Sequence, residues 1–529
     1  MAWDTIVIGS GPGGLTAAVA LARAGQRVLV LEQHTLPGGW THSFTLQGYR
    51  FSPGVHYLGN LQEGGGLREL YEGLGVAGEL EFSELNPDGF DHFLFDGRRF
   101  DQPRGVERWI NRLGEAFPGE REGLARYFST LEHVVEELKT IDTSLRFPGV
   151  LSLPFRAPHL LRWGFRTLQP LLDDCISDPL LRAVLAAQCG NHGLGPSRVS
   201  LPMHAAMAAS FYRGAFYPRG GAKQIPRAFI RELHRRGGQI RVGTRVSEIL
   251  VEAGHTTGVR TEDGERIDAP QVVCNADPAE VFGKLLRAKH CPAGLRKARR
   301  TEYSVSSLSL FCAVELDLKA LGYDSGNYWW HRTTDLDGLY QHMGRELPGD
   351  ELDMLFLAIT SLKDPGHTPA GLHTLELFTF LPWAPFERWA RTPQGHRAPE
   401  YLALKQQLAE RALRTAEHVI PGLRQHVRFL EIGTPLTNDF YCETHHGAIY
   451  GTAKTPWQLG PFSFDSRGPV EGLHFCGAST LCHGVAGASM SGLAVAARML
   501  GYDDAARCLG PRAQHLRISL SEGGLPAPR

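Results

Sequence analysis

Three glycines and one acid give the clearest chemical signal in this chain. Gly9, Gly11 and Gly14 are spaced G-x-G-x-x-G, and Glu32 lies 18 residues beyond Gly14. Glycines in this pattern let the backbone turn tightly, approach a pyrophosphate and pack a helix closely on a strand. A carboxylate about 20 residues later accepts hydrogen bonds from ribose hydroxyls. The flanking sequence supplies the elements that must hold them. Residues 4–8 (Asp-Thr-Ile-Val-Ile) read as a buried strand. Leu15–Arg23 reads as an apolar helix closed by Gly25, and Arg27–Leu31 as a second strand ending at Glu32. Together they make a complete βαβ unit whose helix N-terminus faces an anion. The unit alone does not choose between a flavin and a nicotinamide dinucleotide.

Glycine is in excess across the chain: 61/529, about 11.5%, against a usual value of roughly 7%. No G-X-Y period or Gly/Ser repeat absorbs it, which excludes a collagen-like chain and a flexible linker array. With 42% hydrophobic and 21% charged residues the chain is globular, and its length implies two joined domains. A net charge of −1 gives no broad field for nucleic acid. Nine cysteines without a C-x-x-C pair point to a reduced, cytoplasmic interior. No stretch approaches the eighteen or so apolar residues of a membrane span, and a strand stands where a signal peptide would begin.

The remaining glycines form blocks far apart in sequence. Gly38-Gly39-Trp40-Thr41-His42 follows the ribose acid, and Gly54-Val55-His56-Tyr57 comes next. Tyr217–Gly221, Gly237-Gly238, Thr244–Val246 and Val272–Asp277 occupy the middle of the chain. Gly447–Gly451, Gly472–Thr480 and His483–Ala488 lie near its end. In this order the blocks resemble the phytoene desaturase, carotenoid isomerase and retinol saturase family of FAD-dependent oxidoreductases, within the wider group that includes amine oxidases. The resemblance implies an α/β fold: a discontinuous Rossmann-like FAD-binding domain of the glutathione reductase type with an inserted mixed α+β substrate domain. The flavin domain would comprise 1–75, 215–300 and 430–508, and the substrate domain 76–214 and 301–429. The tail, 509–529, is expected to be mobile.

On this resemblance FAD lies along Gly9, Gly11, Gly13, Gly14, Glu32, Gln33, Gly38, Gly39, Trp40, Thr41, Val246, Asn275, Gly477, Ala478, Ser479, Val485 and Ala486. The helix opening at Val485-Ala486 would aim backbone N–H groups at the flavin and stabilise its anionic reduced form. His56, Tyr450 and His483 are the candidate proton-handling residues, with Tyr441, His445 and His446 nearby. The implied activity is saturation, desaturation or isomerisation of carbon–carbon bonds in a hydrophobic polyene or isoprenoid. No second strand–glycine–helix unit marks a nicotinamide domain. Electrons would pass to or from oxygen, a quinone or another diffusible partner, or return to the same substrate in an isomerisation. Basic and aromatic residues interleave over 146–166 (Arg156, Arg162 and Arg166 with Phe155, Trp163 and Phe165), as in an element lying on a lipid surface. Two other readings stay open here: a flavin-free prenyl-binding escort protein and an amine oxidase. The absence of a G-x-S-x-G elbow and of zinc-like ligand spacing removes hydrolase and zinc chemistry.

Overall fold

A computed structural model describes residues 3–140, 156–366, 368–369 and 371–521. The βαβ unit forms as β1 (Thr5–Ile8), α1 (Pro12–Arg23) and β2 (Val28–Leu31). The helix begins one turn earlier than its apolar pattern suggests. Pro12 stands at its first position, where a missing N–H costs nothing and φ is already helical. Gly14 is held to glycine by packing, since a Cβ there would stand 2.1 Å from the Gly9 carbonyl oxygen.

β1 and β2 sit inside a five-stranded parallel sheet. Its order is Leu473–Phe475, Gln271–Cys274, β1, β2, Gln239–Arg241. Strands from three distant stretches therefore share one sheet, and all four residues of both β1 and β2 are buried. α1 is buried along nearly its whole length because the C-terminal helix Gly484–Met499 crosses it. At the crossing, a Cβ on Gly492 would meet the Gly13 carbonyl at 2.0 Å.

A second, seven-stranded sheet runs Val427–Gly433, Ser306–Val314, His373–Leu381, Met354–Ile359, Asn327–His331, Asp91–Phe95, Arg98–Gln102. It is antiparallel except where Asn327–His331 runs parallel to Asp91–Phe95. The runs 305–316, 328–331, 354–360 and 373–381 (the last rich in Leu, Phe and Thr) read as strands from sequence, and all four form within a residue or two. Residues 105–145 carry helical periodicity with charged faces, and as far as they are described they form helices Val106–Ala116 and Arg121–Thr140, on which one face of the sheet packs.

The tail corrects an expectation. Arg517–Leu520 is a strand, paired parallel with Glu81–Glu84, Leu516 is buried, and Ser521 Oγ donates to the Leu362 carbonyl at 2.6 Å. Its Arg-Ile-Ser-Leu alternation finds a sheet edge more than 430 residues away in sequence, which outweighs the local Gly and Pro content. Residues 522–529 and the 146–155 part of the expected lipid-facing segment lie outside the described residues; Pro158–Trp163 is a short helix. Among the described residues no helix is long and apolar enough to cross a membrane.

Candidate active site

A cavity of about 470 Å³ opens where four of the parallel strands end. The turns after β1, β2, Gln271–Cys274 and Leu473–Phe475 all reach it, which is where open α/β sheets bind their ligands. The facing wall comes from the second sheet through Ser307, Ser309 and Phe378, continued by Ile449 and Tyr450.

The expected cofactor residues largely converge here. Gly9, Gly11, Glu32, Gln33, Gly39, Trp40, Thr41, Val246, Asn275, Gly477, Ala478, Ser479 and Val485 line the cavity, as do His56, Tyr450 and Tyr441. Gly13, Gly14, Gly38 and Ala486 do not line it. The first two pack behind it, and the Gly38 N–H donates to Ser10 Oγ at 2.9 Å. His483 also stands behind the wall. Its Nε2 bonds the Asn191 carbonyl at 2.7 Å, and burial pushes its pKa down to about 3, so the ring is neutral. His445 and His446 stack on each other at 3.9 Å away from the lining.

Glu32 is a buried carboxylate held by three donors. Its Oε2 accepts from the Ser10 N–H (3.0 Å) and hydroxyl (2.6 Å), and its Oε1 from the His34 N–H (2.9 Å). A carboxylate offers about four lone-pair sites, so one remains for a ribose hydroxyl. Asn275 braces the glycine turn: its Oδ1 accepts from the Gly14 N–H at 3.0 Å, and a Cβ on Gly11 would stand 2.6 Å from its Nδ2. Beside the Val246 end of the cavity, Arg245 bonds Gln33 at 2.9 Å and pairs with Glu443.

Four polar residues escaped the sequence reading. Asp277 lines the cavity, accepts from the Tyr303 hydroxyl (2.9 Å), and is raised to about 6 by burial. Lys454 donates to the Ala478 carbonyl at 2.7 Å, its pKa lowered to about 8 by burial. Glu376 and Lys363 hold His56 from behind: His56 Nδ1 lies 3.0 Å from Glu376 Oε2, and Lys363 Nζ donates to the His56 carbonyl at 2.8 Å. Glu376 and Lys454 each carried a visible signal, a lone charge within an apolar or small-residue run.

These residues fit FAD. Two helix N-termini, at Gly11-Pro12 and Gly484-Val485, border the cavity, and each favours negative charge. Glycine backbone takes the place of side chains beside Asn275, and a buried acid keeps one free acceptor site. A dinucleotide cradle on a parallel sheet, faced by a mixed sheet carrying apolar and proton-bearing side chains, defines an FAD-dependent oxidoreductase. The chain belongs to the flavin-containing amine oxidoreductase family, whose sequence model matches residues 12–500. It is 30% identical over 526 residues to the all-trans-retinol 13,14-reductase of Homo sapiens, covering 94% of this chain and 85% of that protein. It is 29% identical over 524 residues to the chloroplastic prolycopene isomerase 2 of an Oncidium hybrid cultivar, covering 96% and 86%. An oxidoreductase from Methanosarcina mazei shares the fold, with a TM-score of 0.64 at 19% identity, covering 93% of this chain and 99% of that one.

Proposed function

We infer that this FAD-dependent oxidoreductase acts on the carbon–carbon bonds of a hydrophobic polyene of the retinoid or carotenoid class. One observation carries the reading: the cavity that holds the glycine cradle is also lined by His56, Tyr450 and the apolar Phe378. The names of its relatives, a retinol reductase and a prolycopene isomerase, support the substrate class. The flavin domain comprises 1–75, 215–300 and 430–508, built on the parallel sheet. The substrate domain comprises 76–214 and 301–429, and its seven-stranded sheet runs past that boundary to Gly433.

Bound FAD supplies hydride chemistry. The cradle residues would hold its phosphates and ribose, and the N-terminus of the helix opening at Gly484-Val485 would favour negative charge on the ring. Phe378 and Ile449 give the substrate an apolar wall. His56 moves the partner proton; Tyr450, whose hydroxyl donates to the Gly190 carbonyl at 3.0 Å, closes the channel behind it. Electrons exchange with a diffusible partner such as oxygen or a quinone, or return to the substrate in an isomerisation. The test is incubation of the anaerobic holoenzyme, oxidised and reduced, with a panel of retinoids and carotenoids, followed by product mass. A gain of two hydrogens marks saturation, a loss marks desaturation, and altered geometry at constant mass marks isomerisation. No product from any polyene overturns the reading.

The enzyme docks on a lipid surface to meet such a substrate. Exposed Phe165, Trp457 and Phe462 come together from separate segments, with ring centroids 5.9 Å (Phe165–Trp457) and 5.5 Å (Trp457–Phe462) apart, and Leu161, four residues before Phe165, is also exposed. Arg162 and Arg166 flank them on the same segment. Flotation with anionic vesicles should carry the wild type and lose the Phe165→Ser/Trp457→Ser variant. Absence of wild-type flotation removes the lipid contact.

A further inference from the structure

Glu376 is the only charged residue in the strand His373–Leu381 once its first position is passed, and it is 1% exposed. A buried carboxylate is costly unless paired and hydrogen-bonded. Here one oxygen accepts from the Ser52 N–H at 2.6 Å and the other faces His56 Nδ1 at 3.0 Å. The His56 ring is also held between aromatic neighbours, 5.0 Å from Phe356 and 5.5 Å from Phe378, the latter nearly parallel. Lys363 fixes the His56 carbonyl and bonds Asn327, which donates to buried Asp91 at 2.9 Å. Among the described residues His56 Nε2 has no hydrogen-bond partner, and the residue lines the cavity.

We propose that Glu376 is the positioning residue of the proton-handling step: it holds a hydrogen on His56 Nδ1 and presents Nε2 to the substrate. The proposal rests on the reading of His56 given above and extends it to the residue that sets its tautomer and orientation. Saturating a double bond adds a hydride, which bound reduced flavin would supply, to one carbon and a proton to the next; removing two hydrogens reverses both. With Nδ1–H donated to Glu376, neutral Nε2 accepts the proton in the second direction. Once protonated, the imidazolium is stabilised by the same carboxylate and returns the proton from Nε2 in the first. The other Glu376 oxygen, on Ser52 N–H, stops the carboxylate from rotating and ties the 52–56 turn to the second sheet.

The test is Glu376→Gln. The Ser52 N–H demands the amide oxygen, which turns the NH2 group toward His56 Nδ1 and forces its hydrogen onto Nε2. In holoenzyme labelled with 15N-histidine, the His56 signals, assigned by their loss in His56→Gln, should change from the Nδ1–H to the Nε2–H pattern. On a polyene the variant turns over, kcat should fall about 10²-fold with KM within about threefold. Glu376→Asp keeps the charge and should restore the Nδ1–H pattern and part of kcat. Glu376→Gln with an unchanged tautomer overturns the proposal, as does unchanged kcat when His56→Gln lowers it. If His56→Gln leaves turnover intact, the proton-handling reading falls, while the spectrum still decides what Glu376 does to the ring.

Discussion

Replacing Glu32 separates two tasks, the bracing of Ser10 and the proposed ribose contact. Glu32→Ala removes the acceptor for three donors, but not all three suffer equally. The Ser10 hydroxyl can rotate, and the His34 N–H is partly exposed and can meet water. The Ser10 N–H is fully buried and is orphaned, which costs about 1–3 kcal/mol of apoprotein stability. Loss of the charge-assisted ribose contact costs a further 1.5–3 kcal/mol or so, felt only with FAD bound. At 1.4 kcal/mol per decade that is roughly a 10- to 150-fold rise in the FAD dissociation constant. The assay is reconstitution of deflavinated protein, following quenching of flavin fluorescence, with thermal unfolding of the apoprotein in parallel. Weaker FAD binding together with a lower apoprotein midpoint supports both tasks. An FAD dissociation constant within twofold of wild type refutes the ribose contact and leaves Glu32 as a brace for Ser10.

Three further outcomes follow from the packing and the charges. Gly14→Ala drives a Cβ against the Gly9 carbonyl, so soluble yield and copurified flavin should both collapse; yellow protein with a wild-type midpoint contradicts the close packing. Lys363 is lowered from 10.5 to about 7 by burial, against the pull of Glu376, Asp91 and Asp324. Between those values the unfolded chain holds a proton the folded protein lacks, so stability should rise with pH from 7 to 10; below 7 the full cost of the buried charge is present. Lys363→Met should flatten that slope without abolishing it, because Lys454 acts with the same sign, and an unchanged slope in denaturant titrations removes Lys363 as its source. Deleting residues 511–529 uncovers the strand Glu81–Glu84 and loses buried Leu516, worth about 1.5–3 kcal/mol, so the unfolding midpoint should fall; an unchanged midpoint makes that strand dispensable.

The nucleotide-binding half was legible because its chemistry is written locally. The glycine spacing, the strand before it and the acid after it lie within 28 residues, and backbone sterics dictate each glycine. The strand His373–Leu381 was equally plain from its Leu, Phe and Thr content. What escaped depends on register between distant strands. Asn275 was named as a cofactor residue, but its brace on the Gly14 N–H, 261 residues away, exists only because β1 pairs in parallel with Gln271–Cys274. Glu376 could be flagged as a lone acid in an apolar strand, yet its partner is set by which turn lies over that strand. His483 is adjacent to a cavity-lining glycine, and one step along the chain turns its ring to the Asn191 carbonyl instead. The tail strand was hidden because four residues of alternating pattern say nothing of an open edge far upstream.

If flavin and polyene meet in one cavity, rapid mixing reads the encounter in the flavin spectrum. Photoreduced holoenzyme is mixed anaerobically with all-trans-retinol or a cis-carotenoid, oxidised holoenzyme with the same polyenes and with putrescine, and the flavin absorbance is followed. The expected result is a polyene-dependent change of flavin redox state, or an isomerised product that forms only with the flavin bound, slowed in His56→Gln and absent with putrescine. Flavin that is inert to every polyene in both redox states, with no product formed, or flavin reduced by the amine instead, contradicts it.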